Sequence, residues 1–346
     1  MSIPTKTRQY YYPELGSFDN LVLQEAPIAP LKPTEVLVKT HAVSLQFRDL
    51  LIANKQYPSK IQPNLVPCSD MAGEIIAVGE DVKYWNVGDR VCANFFLDKL
   101  NNVQTPQTDA SALGGAVHGV LTQYRTFPAH SLVGIPPKLT YEEASTLPCA
   151  GLTAYNALFG DVPLKAGETV LVQGTGGVSI FALQFAVASG AVVIAISSSN
   201  EKLEIAKKLG ATHGINYRAI PEWDQEVLNF TKGLGVDHVI EVGGNATLER
   251  SMKCVKLSGT IDIIGLVGGA NHTPPDIVIP ALFRGIKLRG LSVGSVPQFN
   301  DMNKLIAANP VTARPVVDRV FPFEEVKAAF EYFTSQAHIG KVVIKF

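Results

Sequence analysis

Apolar positions along the chain fall into two textures. From about Tyr10 to Phe127 they form short β-type runs broken by turn residues. Val36-Leu37-Val38-Lys39-Thr40 is one run, Gly73-Glu74-Ile75-Ile76-Ala77-Val78 a second and Arg90-Val91-Cys92-Ala93 a third, with turns at Gly79 and at Val87-Gly88-Asp89. Such spacing predicts a small all-β barrel or sandwich. From about Lys165 the pattern becomes strand, helix, strand, helix. Strands are expected at Thr169–Val172, Ala191–Ile196, Gly214–Tyr217, His238–Val242, Thr260–Ile264 and Ile286–Leu291, with a helix over Val178–Ser189. Another helix is expected from a cap at Asn200, with Leu203, Ala206 and Leu209 on one face and a stop at Gly210. That rhythm predicts a parallel sheet covered by helices, a Rossmann-type α/β unit.

Three further segments complete the outline. Thr140 and Glu143 have the spacing of a capping box and predict a helix running toward Leu158. Val326, Ala329, Phe330 and Phe333 mark one face of a helix near the end, and Lys341–Phe346 is expected to return as a strand to the first unit. Ile286–Leu291 alternates apolar and basic residues, which predicts an edge strand. Two such edges joined about a two-fold axis would make a homodimer.

Composition narrows the possibilities. The 346 residues give room for two domains, and a net charge of −1 with scattered Lys and Arg argues against nucleic acid or an anionic membrane as partner. The most apolar stretch, Val170–Ile196, is interrupted by Gln173, glycines and Gln184, so it reads as core rather than membrane span. Met1–Arg8 lacks the apolar centre of a secretory signal. Cys68, Cys92, Cys149 and Cys254 share no short spacing, which fits a reducing, cytoplasmic setting better than a disulfide scaffold.

The strongest chemical signal is Gly174-Thr175-Gly176-Gly177-Val178-Ser179, between a strand and a helix. Gly174 permits the tight turn, Gly176 lets backbone approach a pyrophosphate, and the helix start offers free N–H groups to an anion. Ser179 takes the place of the usual third glycine or alanine. About twenty residues on, an NAD site has a carboxylate for the ribose hydroxyls. Here the chain reads Ser197-Ser198-Ser199-Asn200-Glu201-Lys202, with Tyr217 and Arg218 after the next strand. Hydroxyls and a lysine suit the 2′-phosphate of NADPH, with NADH the less favoured cofactor. Glu201 lies one residue into the helix, where it complements the dipole.

Together these motifs resemble the medium-chain dehydrogenase/reductases. The likeness adds Asp49 in Phe47-Arg48-Asp49-Leu50-Leu51, Gly151-Leu152-Thr153-Ala154-Tyr155, and Val236-Asp237-His238-Val239-Ile240-Glu241-Val242-Gly243-Gly244. The resemblance implies an α/β protein in which a doubly wound Rossmann domain, residues 130–296, is inserted in a GroES-like β-barrel catalytic domain, residues 1–129 and 297–346. The active site would lie in the cleft between them. The branch it resembles is the zinc-independent quinone oxidoreductases. Zinc-bearing members carry a Cys, a Gly-His-Glu and a second Cys where this chain has Gln46, Ser69 with Asp70, and Cys149, so no metal is expected.

The resemblance also implies roles for single residues. Thr153 would approach the nicotinamide, while Gly174, Gly176, Gly177 and Val178 would hold the pyrophosphate. Ser198, Ser199, Lys202 and Tyr217 would hold the adenosine phosphate. Gly265, Leu266 and Val267, with Leu291, Ser292 and Val293, would flank the nicotinamide ribose and ring, and Lys341 would reach the cofactor. Without a Lewis acid, hydride transfer favours acceptors such as quinones or α,β-unsaturated carbonyls. Gln46, Tyr57 and Ser69 are then the candidate hydrogen-bond donors to a forming oxyanion. Two other activities fit the same residues: an alcohol dehydrogenase or carbonyl reductase with degenerate metal ligands, and a slow, crystallin-like NADPH-binding protein.

Overall fold

A computed structural model describes residues 3–265, 267–268 and 272–346. The chain divides into two compact units. The first comprises Met1–Leu152, Gly294–Ala308 and Pro315–Phe346; the second comprises Thr153–Val293 and Asn309–Arg314.

The first unit is built on a seven-stranded sheet. Glu35–Ser44 lies at its centre, pairing with Asp70–Val78 on one side, with Lys341–Lys345 on the other and with Tyr124–Pro128 along its first half. The returning C-terminal strand therefore sits where the pattern placed it, and its outer neighbour is Val317–Pro322. The amphipathic helix Val326–Thr334 buries Val326, Ala329, Phe330 and Phe333, the four positions of its apolar face. These join Val36, Val38, Phe127 and Ile344 in one core.

The second unit carries a six-stranded, wholly parallel sheet. In spatial order its strands are His213–Asn216, Val192–Ser197, Thr169–Gln173, Val236–Glu241, Val255–Ile263 and Lys287–Gly290. In chain order that is 3-2-1-4-5-6, the doubly wound arrangement, whose strand order reverses between the first and fourth strands. Every strand expected from the alternating pattern is present, and Lys287–Gly290 does lie at the sheet edge. Among the described residues no helix is long and apolar enough to cross a membrane.

Two local features depart from the sequence reading. The unit boundary falls after Leu152 rather than at residue 130. Leu132–Gly134 pairs with Arg90–Ala93, which ties this connection into the first sheet. The helix expected from Thr140 to Leu158 is also interrupted. Thr140 and Glu143 do form the capping box over Tyr141–Ala144, but Leu147–Gly151 is a π-helical turn before Leu152–Phe159 resumes. Pro148 has no N–H to give to a regular ladder, and the Cys149 N–H is bonded elsewhere.

The tightest backbone packing in the first unit surrounds Cys68, a non-glycine residue at φ +65°. A Cβ on Gly119 would stand 2.0 Å from the Cys68 carbonyl oxygen and 2.3 Å from that of Pro67. Gly119→Ala is therefore expected to lower stability by about 2–3 kcal/mol. Gly134→Ala, whose Cβ would meet only Trp85 at 4.0 Å, should be tolerated. Thermal or urea unfolding of the two variants checks this, and equal midpoints would contradict it.

Candidate active site

In the first unit the polar side chains converge on Asp70, the fully buried first residue of its strand. The carboxylate accepts from Gln46 Nε2 at 2.6 Å through Oδ2, from the Cys149 N–H at 2.9 Å through the same oxygen, and from Ser69 Oγ at 2.6 Å through Oδ1. Gln46 is delivered by the end of the central strand, where it starts the helix Phe47–Ala53. Its backbone N–H donates to Asp49 at 2.8 Å. Asp49 is itself buried, with the Arg48 guanidinium 3.8 Å away.

Burial sets the electrostatics of this cluster. Loss of hydration pushes the Asp70 carboxyl up to about 6, against the pull of Lys341 and the Ser69 and Cys149 hydrogen bonds. Asp49 is raised for the same reason. Lys341 is buried and lowered by desolvation, which Asp70 and Asp49 partly offset. Its ammonium donates to the Leu45 carbonyl. Lys341, expected at the cofactor, thus has its charge within the Asp70 cluster of the first unit.

Two of the three expected donors, Gln46 and Ser69, are brought together. Tyr57 is not joined to them by a hydrogen bond. Its half-buried ring lies 5.2 Å from the Arg48 guanidinium, which also covers Phe95 at 4.7 Å. Asp70 as a hub was missed by the sequence reading, although an acid beside Met71-Ala72-Gly73 at a strand start was a visible signal.

The second unit holds the glycine-rich turn. Gly174 has φ +74°, and the helix Gly177–Ala188 starts from Gly176. A Cβ on Gly176 would meet nothing within 4 Å, so protein packing does not demand glycine there. Open space over the N–H groups of a helix start suits a pyrophosphate, and the residues present fit a dinucleotide. Val178 follows on the first turn, and Ser179 Oγ donates to the Gln173 carbonyl at 2.6 Å, closing helix onto strand.

Ser198, Ser199, Lys202 and Tyr217 gather at the carboxyl ends of neighbouring strands, with the Tyr217 N–H bonded to the Ser197 carbonyl at 3.0 Å. Ser199 rather than Asn200 is the helix cap. Its hydroxyl faces the Lys202 N–H at 3.4 Å and donates to the Glu201 carboxylate, so an acid does stand beside the expected phosphate site. Thr153 is buried at the start of its helix, and Gly265 packs against the Val242 carbonyl. Leu291 follows the edge strand and is half-buried, Ser292 is exposed, and Val293 is buried at φ +46° with its carbonyl held by Asn156 Nδ2 at 2.5 Å. Leu266 lies outside the described residues.

Matches to known proteins touch both units. Residues 32–137 match the alcohol dehydrogenase GroES-like domain, and residues 177–308 match the zinc-binding dehydrogenase domain. A zinc-type alcohol dehydrogenase-like protein of Schizosaccharomyces pombe is 49% identical over 98% of this chain and 99% of its own. The chain belongs to the medium-chain dehydrogenase/reductase superfamily. It is an oxidoreductase of that superfamily, whose members use a nicotinamide cofactor. A crystal structure from Sinorhizobium meliloti 1021, described as a candidate alcohol dehydrogenase, superposes with TM-score 0.90 at 38% identity over the whole of both chains. A quinone oxidoreductase of Pseudomonas syringae shares the fold, with TM-score 0.83 at 23% identity over 98% of this chain and 100% of its own.

The zinc-bearing pattern can be tested on the donors themselves. At the corresponding positions Gln46 offers a neutral amide already bonded to Asp70, Ser69 a hydroxyl bonded to the same group, and Cys149 a thiol pushed up by burial and by Asp70. Among the described residues no three His, Cys, Asp or Glu side chains are grouped to hold a metal ion. The set does not fit a tetrahedral zinc site, which needs three basic ligands.

The Asp70 carboxyl supplies a measurable signature. Its folded value of about 6 lies above the ordinary 3.8, so folding disfavours the charged form. Its contribution is complete below pH 3.8 and is lost as pH rises through 6, about 3 kcal/mol in all. The stability of the wild type relative to Asp70→Asn should fall by that amount between pH 4 and 7. A pH-independent difference would contradict the assignment.

Proposed function

We propose that this protein is an NADPH-dependent, zinc-independent reductase of quinones or α,β-unsaturated carbonyls. The observation that carries the reading is the Asp70 hub. Two of the three positions that hold zinc ligands in metal-bearing relatives are here an amide and a hydroxyl, both donating to a buried carboxyl, while the third keeps a cysteine. Such a site offers hydrogen bonds and a proton in place of a Lewis acid.

The bound cofactor would supply hydride to the acceptor carbon. The chain's part is to steady the oxygen on which charge then develops. Gln46 uses one amide hydrogen on Asp70 and has a second to donate. When Asp70 is protonated its O–H donates to Ser69 Oγ, reversing the bond that Ser69 makes to the carboxylate and freeing the Ser69 proton for the developing oxyanion; a carboxyl at about 6 holds that proton in a useful range. A well-placed donor lowers the barrier by roughly 3–4 kcal/mol. That suffices for an electrophile already low in energy, and leaves a simple ketone or alcohol slow. Preference for NADPH rests on Lys202 with Ser198, Ser199 and Tyr217, with Glu201 opposing it.

A second reading, an alcohol dehydrogenase or carbonyl reductase, is favoured by the Schizosaccharomyces pombe relative, a zinc-type alcohol dehydrogenase-like protein. One experiment separates the two: turnover with an ortho-quinone, a conjugated enone and a saturated alcohol–aldehyde pair, alongside elemental analysis of protein purified without chelators. The quinone or enone should react fastest, with NADPH, at far below one zinc per chain. Lys202→Ala should weaken NADPH about tenfold and leave NADH unchanged. Fastest turnover of the saturated pair with stoichiometric zinc would establish the second reading instead.

The working form on this reading is a cytoplasmic homodimer. Lys287–Gly290 ends the parallel sheet with its outer backbone groups unpaired by any other described strand. The helix leading into it, Val278–Arg284, buries none of its residues, and Val278, Ile279, Leu282 and Phe283 are 53–77% exposed. A strand edge flanked by an uncovered apolar helix suits a second copy, which can continue the sheet and cover both helices. Light scattering at micromolar concentration should give twice the 37.2 kDa chain mass, and Phe283→Glu should return it to monomer. A wild-type monomer would overturn this assembly.

A further inference from the structure

The switch point of the second sheet contains a buried acid that no step above uses. Glu241, the last residue of its strand, is fully buried. Its Oε1 accepts from the Gly243 N–H at 2.8 Å, the Gly244 N–H at 3.0 Å and Thr247 Oγ1 at 2.5 Å. Its Oε2 accepts from Gln173 Nε2 at 2.7 Å and from Ser251 Oγ at 2.5 Å. Five donors meet one carboxylate, and none of them is a cation.

Those donors come from a strand end, the turn that follows Glu241 and the helix Leu248–Cys254. Gln173 is the residue before Gly174, and its Oε1 accepts from the N–H groups of Val242 and Gly243 at 3.2 and 3.3 Å. The strands ending in Gln173 and Glu241 are neighbours, so this exchange crosses the point where strand order reverses. On the far side, the Val242 and Gly243 carbonyls accept from Val267 and Gly268 at 3.0 and 3.1 Å. A Cβ on Gly243 would meet Thr247 Oγ1 at 2.2 Å, so the close approach of Thr247 to the turn requires glycine there. One carboxylate thus links the strand feeding the pyrophosphate turn to the turn at Gly243 and, through it, to Val267 and Gly268.

We propose that Glu241 is a positioning residue for the nicotinamide dinucleotide. It fixes the glycine turn and the Gly243–Gly244 turn relative to each other, so that the pyrophosphate and the nicotinamide half are received together. The role rests on nicotinamide-cofactor binding alone and holds for either cofactor and any acceptor. Its failure is therefore distinct from failure of the quinone or NADPH reading.

The test compares a whole dinucleotide with its adenosine half. Glu241→Gln turns an amide N–H toward donors on one side, and Thr247→Val removes a single donor with little change of shape. Binding of NADPH and adenosine 2′,5′-bisphosphate, and of NADH and AMP, is measured for each by calorimetry. Affinity for whichever dinucleotide the wild type binds should fall about tenfold in Glu241→Gln and several-fold in Thr247→Val, with its adenosine half unchanged and Thr247→Ser restoring the wild-type value. Equal losses for the dinucleotide and its adenosine half would show general loosening, and unchanged dinucleotide affinity in both variants would show a staple irrelevant to binding. Either result overturns the proposal. Should Glu241→Gln fail to fold, the Thr247 pair decides alone.

Discussion

A carboxylate taken out of water keeps its charge only where donors replace the hydration it has lost. Two acids in this chain impose that requirement, and much of the local structure around each is the answer to it. Asp70 begins a strand in the first unit and draws in Gln46, Ser69 and the Cys149 N–H. Glu241 ends a strand in the second and draws in five neutral donors. Because several of those donors are backbone N–H groups, satisfying the charge also fixes the path of the chain. The π-helical turn at Leu147–Gly151 illustrates this. There a backbone donor that a regular helix would use internally is given to a side chain of another element.

The elements were legible where the information is local. Period two and period 3.6 marked the strands and helices, the Thr140–Glu143 spacing marked a cap that forms, and the four-residue face of Val326–Thr334 is the buried one. The glycine-rich turn was legible too, because its meaning lies in one strand–turn–helix segment. The hubs were not. Asp70 meets Gln46 24 residues away and Cys149 79 residues away, and Lys341 meets Leu45 across 296 residues. No spacing rule reaches that far, since sheet register creates those neighbours. The family pattern placed Gln46, Ser69 and Cys149 near one another without showing that their shared partner is a carboxyl.

The same limit explains two misplacements. The sequence suggests Asn200 as the helix cap, but Ser199, one residue earlier, takes that place. The family resemblance puts the boundary at residue 130, whereas the first unit runs to Leu152. The short strand Leu132–Gly134 carries no strong periodic signal, yet its pairing with Arg90–Ala93 decides the boundary.

The two hubs differ in a way that matches the work assigned to each. None of the donors around Glu241 titrates in the ordinary range, since they are backbone amides, two hydroxyls and a carboxamide. The Gly243–Gly244 turn is accordingly held by neutral donors alone. Asp70 shares its surroundings with Asp49, Lys341 and two thiols, all displaced from their usual values by burial. Protons there can be exchanged at modest cost, because the charged form of Asp70 is already disfavoured. A reductase needs both properties, a fixed bed for the hydride donor and a labile store for the proton that follows. On the proposed function, this chain would keep them on separate carboxylates, Glu241 in the second unit and Asp70 in the first.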